Sequence, residues 1–250
     1  MGSEVLKIIL PDFQLLDENF KWSVLTSMTE KYEDEELWYW SQEAQNAPFL
    51  PRFQVRDTES SHGRYATQSK VIHGIDLVRF HGHPCDGLFR GMYAMSQALA
   101  VLFPNGIIDR TDLRFLSRNS PCLGDVGAYL TGGRVRFGTQ GVLNRPGVWY
   151  IIQRISTGEA VEVTEQEGFF PPDIMDMESR LSSLSGGEQG QVVSELRRMQ
   201  EEWVKIRLFP SRPEEHYVVR KIQWDWQDVP YENKGTRTDV LYKDVPLGGE

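Results

Sequence analysis

Apolar and polar positions change period several times along the chain, and each change marks an element. Leu88, Met92, Met95, Leu99 and Leu102 recur at spacings of 4, 3, 4 and 3, which places them on one helix face. Asn105 and Gly106 lie just beyond the predicted end of that helix. Val192, Leu196, Met199, Trp203 and Ile206 repeat the same spacing and predict a second amphipathic helix. Elsewhere the pattern predicts strands. VIHGIDLVRF (71–80) carries apolar Ile75, Leu77 and Val78, and LRFLS (113–117) follows the first helix. VRFGT, GVWYIIQRIS and EAVEVTE then predict two or three consecutive strands, separated by QGVLNRPG and by the TG at 157–158. In HYVVRKIQWDWQ, Ile222, Trp224 and Trp226 alternate with Lys221, Gln223, Asp225 and Gln227, as in a half-buried strand.

Between these elements, HGHPCDG (81–87) and NSPCLGD (119–125) read as loops, and VGAYLTGG as a short helix stopped by Gly132 and Gly133. Near the N-terminus an acidic run, Glu33 to Glu36, leads into Trp38, Tyr39 and Trp40. This reads as a helix with a solvated acidic face and an aromatic core face, closed by Pro48 and Pro51. SSLSGGEQG (182–190) reads as a linker or exposed loop, and the tail beyond Pro230 is polar. The clustered strands at 135–165 favour an α+β domain over an alternating α/β one.

With 250 residues the chain can form one sizeable domain or two small ones. A net charge of −9 excludes the basic footprint of a general nucleic-acid binder. No window of about 18 apolar residues is present, so no membrane span is expected. Only six residues separate Glu4 from Pro11, too few for a signal-peptide core, and Leu6 stands where a myristoylation signal needs Ser or Thr. Two cysteines make no disulfide framework, and a cytoplasmic address is the expectation.

The chemistry concentrates in the two loops. His81 and His83 are two residues apart, and Cys85 follows after two more. Imidazoles with a thiolate suit zinc, with iron or copper as alternatives, and further ligands would have to come from elsewhere. The other cysteine, Cys122, lies after the next predicted strand, with Asp125 three residues on. If the two predicted strands pair in parallel, both loops emerge at one sheet end, where ligand sites collect in open sheets. The helix near Leu88 would aim its N-terminus at the first loop and lower a thiol pKa. Against this stands the ordinary reading of partly buried histidines and inert cysteines. His62, His73 and His216 have no nearby partner and read as structural. Ser120 lacks a GxSxG setting, and TGGRVRFG (131–138) lacks the GK[ST] of a P-loop. Arg134 and Arg136 suit a substrate anion or a solvated strand face equally.

FHGHPCDGLFRG (80–91), PCLGDVGAYLTGG (121–133) and RVRFGTQG (134–141), in this order, resemble the FmdE family, named for the FmdE polypeptide of molybdenum formylmethanofuran dehydrogenase. The resemblance covers roughly residues 70–165. It implies an α+β core of helix, strand and helix followed by several strands in a mixed sheet. An N-terminal extension (1–69) would pack on this core, and a C-terminal helix-and-strand extension (166–250) would belong to the same domain. It also implies a metal site with His83, Cys85 and Cys122 as ligands. His81 and Asp125 would act as a further ligand, as an orienting neighbour or as the general base. Many relatives append a cysteine-rich zinc ribbon or ferredoxin-like segment; with Cys85 and Cys122 alone, this chain cannot, and it carries no iron–sulfur relay of its own.

Three functions are consistent with these features. The leading one is a zinc-binding protein whose open coordination position acts on a small substrate, with one-carbon or carbonyl chemistry in keeping with the family name. The second is thiol chemistry at Cys85 and Cys122 without metal. The third is a non-catalytic binding module, docking a partner through exposed Trp38, Trp40, Trp224 and Trp226. A homodimer is expected only from the general frequency of symmetric oligomers.

Overall fold

The computed structural model describes residues 42–58 and 65–227. In chain order the elements are α1 (Gln42–Gln45), β1 (Phe53–Arg56), β2 (Lys70–Ile72), α2 (Gly74–His81), α3 (Asp86–Leu102), β3 (Ile108–Asp109) and β4 (Leu113–Ser117). There follow α4 (Pro121–Thr131), β5 (Gln140–Val142), β6 (Trp149–Arg154), β7 (Ala160–Glu165), α5 (Pro172–Arg180), α6 (Gly186–Trp203) and β8 (Tyr217–Ile222). Helices and mixed sheets together make an α+β fold, as the sequence pattern predicts. The helix expected around Trp38, Tyr39 and Trp40, together with His62 and the polar tail, lies outside the described residues.

The main sheet runs β5-β4-β6-β7-β8, antiparallel throughout except for the parallel β4–β5 pair. A small sheet, β2-β1-β3, stands separately. In β6 the sequence WYIIQR is buried from Trp149 to Gln153, because both sheet faces are covered there. On one face Tyr150 points towards the helices, and its hydroxyl donates to the Leu123 carbonyl of α4 at 3.0 Å. On the other, Trp149, Ile151 and Leu116 form a cluster over which Ile222, Trp224 and Trp226 pack. Gln153 Nε2 donates to the Trp224 carbonyl at 3.0 Å, and the Arg114 guanidinium lies 4.7 Å from the Trp226 ring. Trp224 and Trp226 are thus half-buried and belong to the sheet's second core.

Helix α3 follows the predicted spacing: Leu88, Met92, Met95, Leu99 and Leu102 are all buried, as are Phe89 and Tyr93. It packs across β6, β7 and β8 and beside α4. The contact between α3 and α4 is close because glycines line it. A Cβ on Gly91 would stand 2.8 Å from the Tyr150 hydroxyl and 3.0 Å from Leu123 Cδ2. On α4, a Cβ on Gly127 would fall 2.2 Å from Phe115 Cε2, so the ring lies directly on the helix backbone.

Four expectations are corrected. The strand predicted over 71–80 is β2 followed by helix α2. The Asp76 carboxylate accepts the His73 N–H at 2.8 Å and starts the helix, and Leu77, Val78 and His81 then share its buried face. VRFGT forms a tight turn at Val135–Phe137, and the strand begins only at Gln140. The expected linker at 182–190 already contains the first turns of α6, which starts after Ser185 with Glu188 at its positive end. Ile206, placed on the buried face of that helix by its spacing, is 61% exposed. The helix widens into a π-helical segment at Val204–Leu208, and the altered turn buries Val204 and Leu208 instead. Among the described residues no helix is long and apolar enough to cross a membrane.

Gly127→Ala tests the ring-on-backbone contact. Alanine gains about 1 kcal/mol in helix propensity. The overlap with Phe115 outweighs this, and a net loss of about 1–3 kcal/mol is expected in urea unfolding. An unchanged midpoint would show that the ring is free to move.

Candidate metal centre

His81 is the last residue of α2, and Gly82 (φ 100°) ends the helix with its N–H bonded to the Val78 carbonyl at 2.8 Å. That left-handed turn, which favours glycine, reverses the chain and brings His83 and Cys85 back beside His81. The His81 and His83 ring centroids are 4.4 Å apart. Cys85 is the N-cap of α3, and its sulfur accepts the Leu88 N–H at 3.4 Å. Cys122 enters from α4. Ser120 caps that helix through its Oγ and Pro121 opens it, so Cys122 and Asp125 lie on its first turns and not in the loop expected for CLGD. The juxtaposition therefore comes from α3 lying against α4, and not from two parallel strands.

All five residues singled out from the sequence meet here. His81 Nδ1 lies 2.8 Å from Asp125 Oδ2, His81 Nε2 lies 3.7 Å from Cys85 Sγ, and Cys85 Sγ lies 3.4 Å from Cys122 Sγ. The donor atoms of His81, His83 and Cys85 are all within 4.8 Å of one another. The His81 side chain is fully buried, His83 is exposed, and Asp125 retains 38% side-chain exposure. His73 instead starts α2, and the His216 ring stacks on Phe169 at 3.8 Å. Arg134 and Arg136 flank the turn at 135–137, where Arg134 donates to the Gly133 carbonyl.

The charges in this cluster are coupled. Burial opposes protonation of His81, but the hydrogen bonds to Asp125 and Cys122, with the charges of both, raise its pKa to about 9. Cys122 falls to about 5: the hydrogen bond from Cys85 dominates, and His81 adds to it against the cost of burial. Cys85 rises well above the usual thiol range for the complementary reasons, its bond to Cys122 and its burial. In the metal-free chain, His81 binds its proton more tightly when folded than its ordinary 6.5 allows. Its stabilisation is full below 6.5 and disappears as pH rises through about 9.

Two supports were not visible as site residues in the sequence. Gly87 is one: a Cβ there would stand 3.1 Å from Cys122 Sγ, so its absence gives the sulfur its place. Arg90 is the other. It pairs with Asp86, next to Cys85, at 3.1 Å, and bonds Glu165 of β7 through Nε at 2.8 Å and Nη2 at 2.9 Å. Its guanidinium also covers Phe170 at 3.7 Å. The i, i+4 spacing of Asp86 and Arg90 was the readable part of that network; Glu165 lies 75 residues away.

Residues 80–213 match the family described as FmdE, Molybdenum formylmethanofuran dehydrogenase operon, and this span is more than half of the chain. The chain belongs to the FmdE family. The matched span begins one residue before His81 and contains all five residues of the FmdE-like site. Among solved structures, the chain is similar to a tungsten formylmethanofuran dehydrogenase FmdE-like protein from Syntrophus aciditrophicus. The identity is 21%, over 60% of this chain and 69% of that one, with a TM-score of 0.37. No curated protein matches the chain.

Arg90→Ala would leave Glu165, whose side chain is 5% exposed, buried without its partner. A loss of about 3–5 kcal/mol in urea unfolding is expected. A loss below about 1 kcal/mol would mean that Glu165 takes up a proton or finds water at little cost.

Proposed function

We propose that this FmdE-family chain is a metal-binding protein, for zinc in the first place, in which His81, His83 and Cys85 are the ligands and Asp125 orients His81. The observation that carries this reading is the grouping of three donor atoms within 4.8 Å, one of them on a buried imidazole already held from behind by a carboxylate. An ion would displace the Nε2 proton of His81 and leave the Nδ1 proton towards Asp125, the arrangement that fixes metal-ligating histidines elsewhere.

The spacings fit the ion. On a tetrahedral zinc, with bonds of about 2.0–2.3 Å, a nitrogen and a sulfur ligand stand about 3.6 Å apart and two sulfurs about 3.8 Å. The distances here are 3.7 Å from His81 Nε2 to Cys85 Sγ and 3.4 Å from Cys85 Sγ to Cys122 Sγ. Cys122 is thus a neighbouring thiolate within reach of the same ion, although it falls outside the three-residue group. An ion held by these donors would supply Lewis acidity towards a water or a carbonyl oxygen. A small carbonyl or one-carbon substrate, in the sense of the family name, is the class this chemistry suits. In that setting Asp125 would keep the His81 proton on Nδ1. The thiol-only reading keeps one supporting observation, the short contact of the two sulfurs.

Elemental analysis of protein purified without added metal or a metal-binding tag tests the proposal. About one zinc per chain is expected. Cys85→Ser should lose it, Cys122→Ser should keep it at reduced affinity, and Asp125→Ala should bind it about 10–100-fold more weakly. Metal retained in Cys85→Ser at wild-type affinity would overturn this ligand set.

A further inference from the structure

Cys85 and Cys122 are the only cysteines of the chain, and both are free thiols, partly exposed, at the first turns of two different helices. Their sulfurs are 3.4 Å apart, and a disulfide needs about 2.05 Å. The remaining approach of about 1.4 Å is within reach of side-chain rotation. Gly87 keeps the flank of Cys122 open: any side chain there would crowd the sulfur at 3.1 Å. We propose that Cys85 and Cys122 form a reversible disulfide that switches the site between a reduced form able to bind metal and an oxidised form unable to do so. The switch rests on the metal reading above, because Cys85 cannot be a disulfide sulfur and a thiolate ligand together.

The chemistry balances with a peroxide as the oxidant. Cys122, as a thiolate, attacks one oxygen of hydrogen peroxide. The O–O bond breaks, an S–O bond forms, and the departing hydroxide takes up a proton to leave as water. The Cys85 sulfur then attacks the sulfur of this sulfenic acid. The S–S bond forms, the S–O bond breaks, and a second water leaves with the Cys85 proton. Each sulfur gives up one electron and the peroxide gains two. A dithiol reductant returns both thiols by exchange through a mixed disulfide. His81 and His83, left without their sulfur partner, make too small a set to retain zinc.

The test uses the full chain, reduced, in zinc-free and zinc-loaded forms, treated with hydrogen peroxide and then quenched with catalase. Zinc binding by the reduced chain is measured separately. The expected result is a mass loss of about 2 Da, mapped to a Cys85–Cys122 cross-link, with one zinc released per disulfide into a chromogenic chelator. Dithiothreitol should restore both thiols and zinc binding. In Cys122→Ser the internal cross-link should not form, and Cys85 should instead be captured as a mixed disulfide with added glutathione. A wild-type chain that binds zinc but shows free thiols with zinc retained, or sulfinic acids of about +32 Da each, overturns the switch alone. A reduced chain that binds no zinc yet forms the disulfide overturns the metal reading and the gating built on it.

Discussion

The close approach of α3 and α4 is the constraint from which the rest follows. Gly87 and Gly91 lie four residues apart on one face of α3, where added side chains would meet Cys122, Leu123 and the Tyr150 hydroxyl. Two helices can come this near only when one presents backbone at the contact. The same proximity aligns the first turns of both, so that the sulfur capping α3 meets the sulfur one residue inside α4. Tyr150 holds the pair from the sheet side through the Leu123 carbonyl, and Arg90 ties the α3 start to β7.

That placement explains the electrostatics of the cluster. The Leu88 N–H at the start of α3 donates to the Cys85 sulfur, Cys122 lies on the first turn of α4, and a buried imidazole faces them. Negative charge is favoured on the Cys122 sulfur and disfavoured on Cys85, positive charge is favoured on His81, and Asp125 stabilises the latter from the open side. The carboxylate of Asp86 works the other way, pushing both thiols upward, and its pairing with Arg90 offsets part of that field.

The site was more legible than the elements that carry it. His81, His83, Cys85, Cys122 and Asp125 stand out by residue type and spacing whatever their secondary structure, and all five converge. The geometry behind the convergence was not readable. GIDLVRF has as many β-branched and aromatic residues as a strand, and its helical state is decided by the His73–Asp76 cap and by the buried face of Leu77, Val78 and His81. In NSPCLGD the signs of a turn, Asn119, Ser120 and Pro121, are also the signs of a helix start, so Cys122 was placed one element too early. The strands at 149–154 and 160–165 and the long helix at 86–102 lie where their apolar residues place them, the helix burying one face and the first strand covered on both. Periodicity failed at Ile206 for a local reason: it assumes 3.6 residues per turn, and the π-helical segment has more.

The contrast between the two histidines has a kinetic meaning. His81 is sealed in the interior with its ring fixed from behind, whereas His83 stands in solvent on a loop two residues further on. A bound ion on such a pair would owe its residence to the inner donor and its exchange to the outer one, since only the outer ring can swing away without opening the core. Changes around His83 would alter how fast an ion comes and goes, as well as how tightly the three donors hold it.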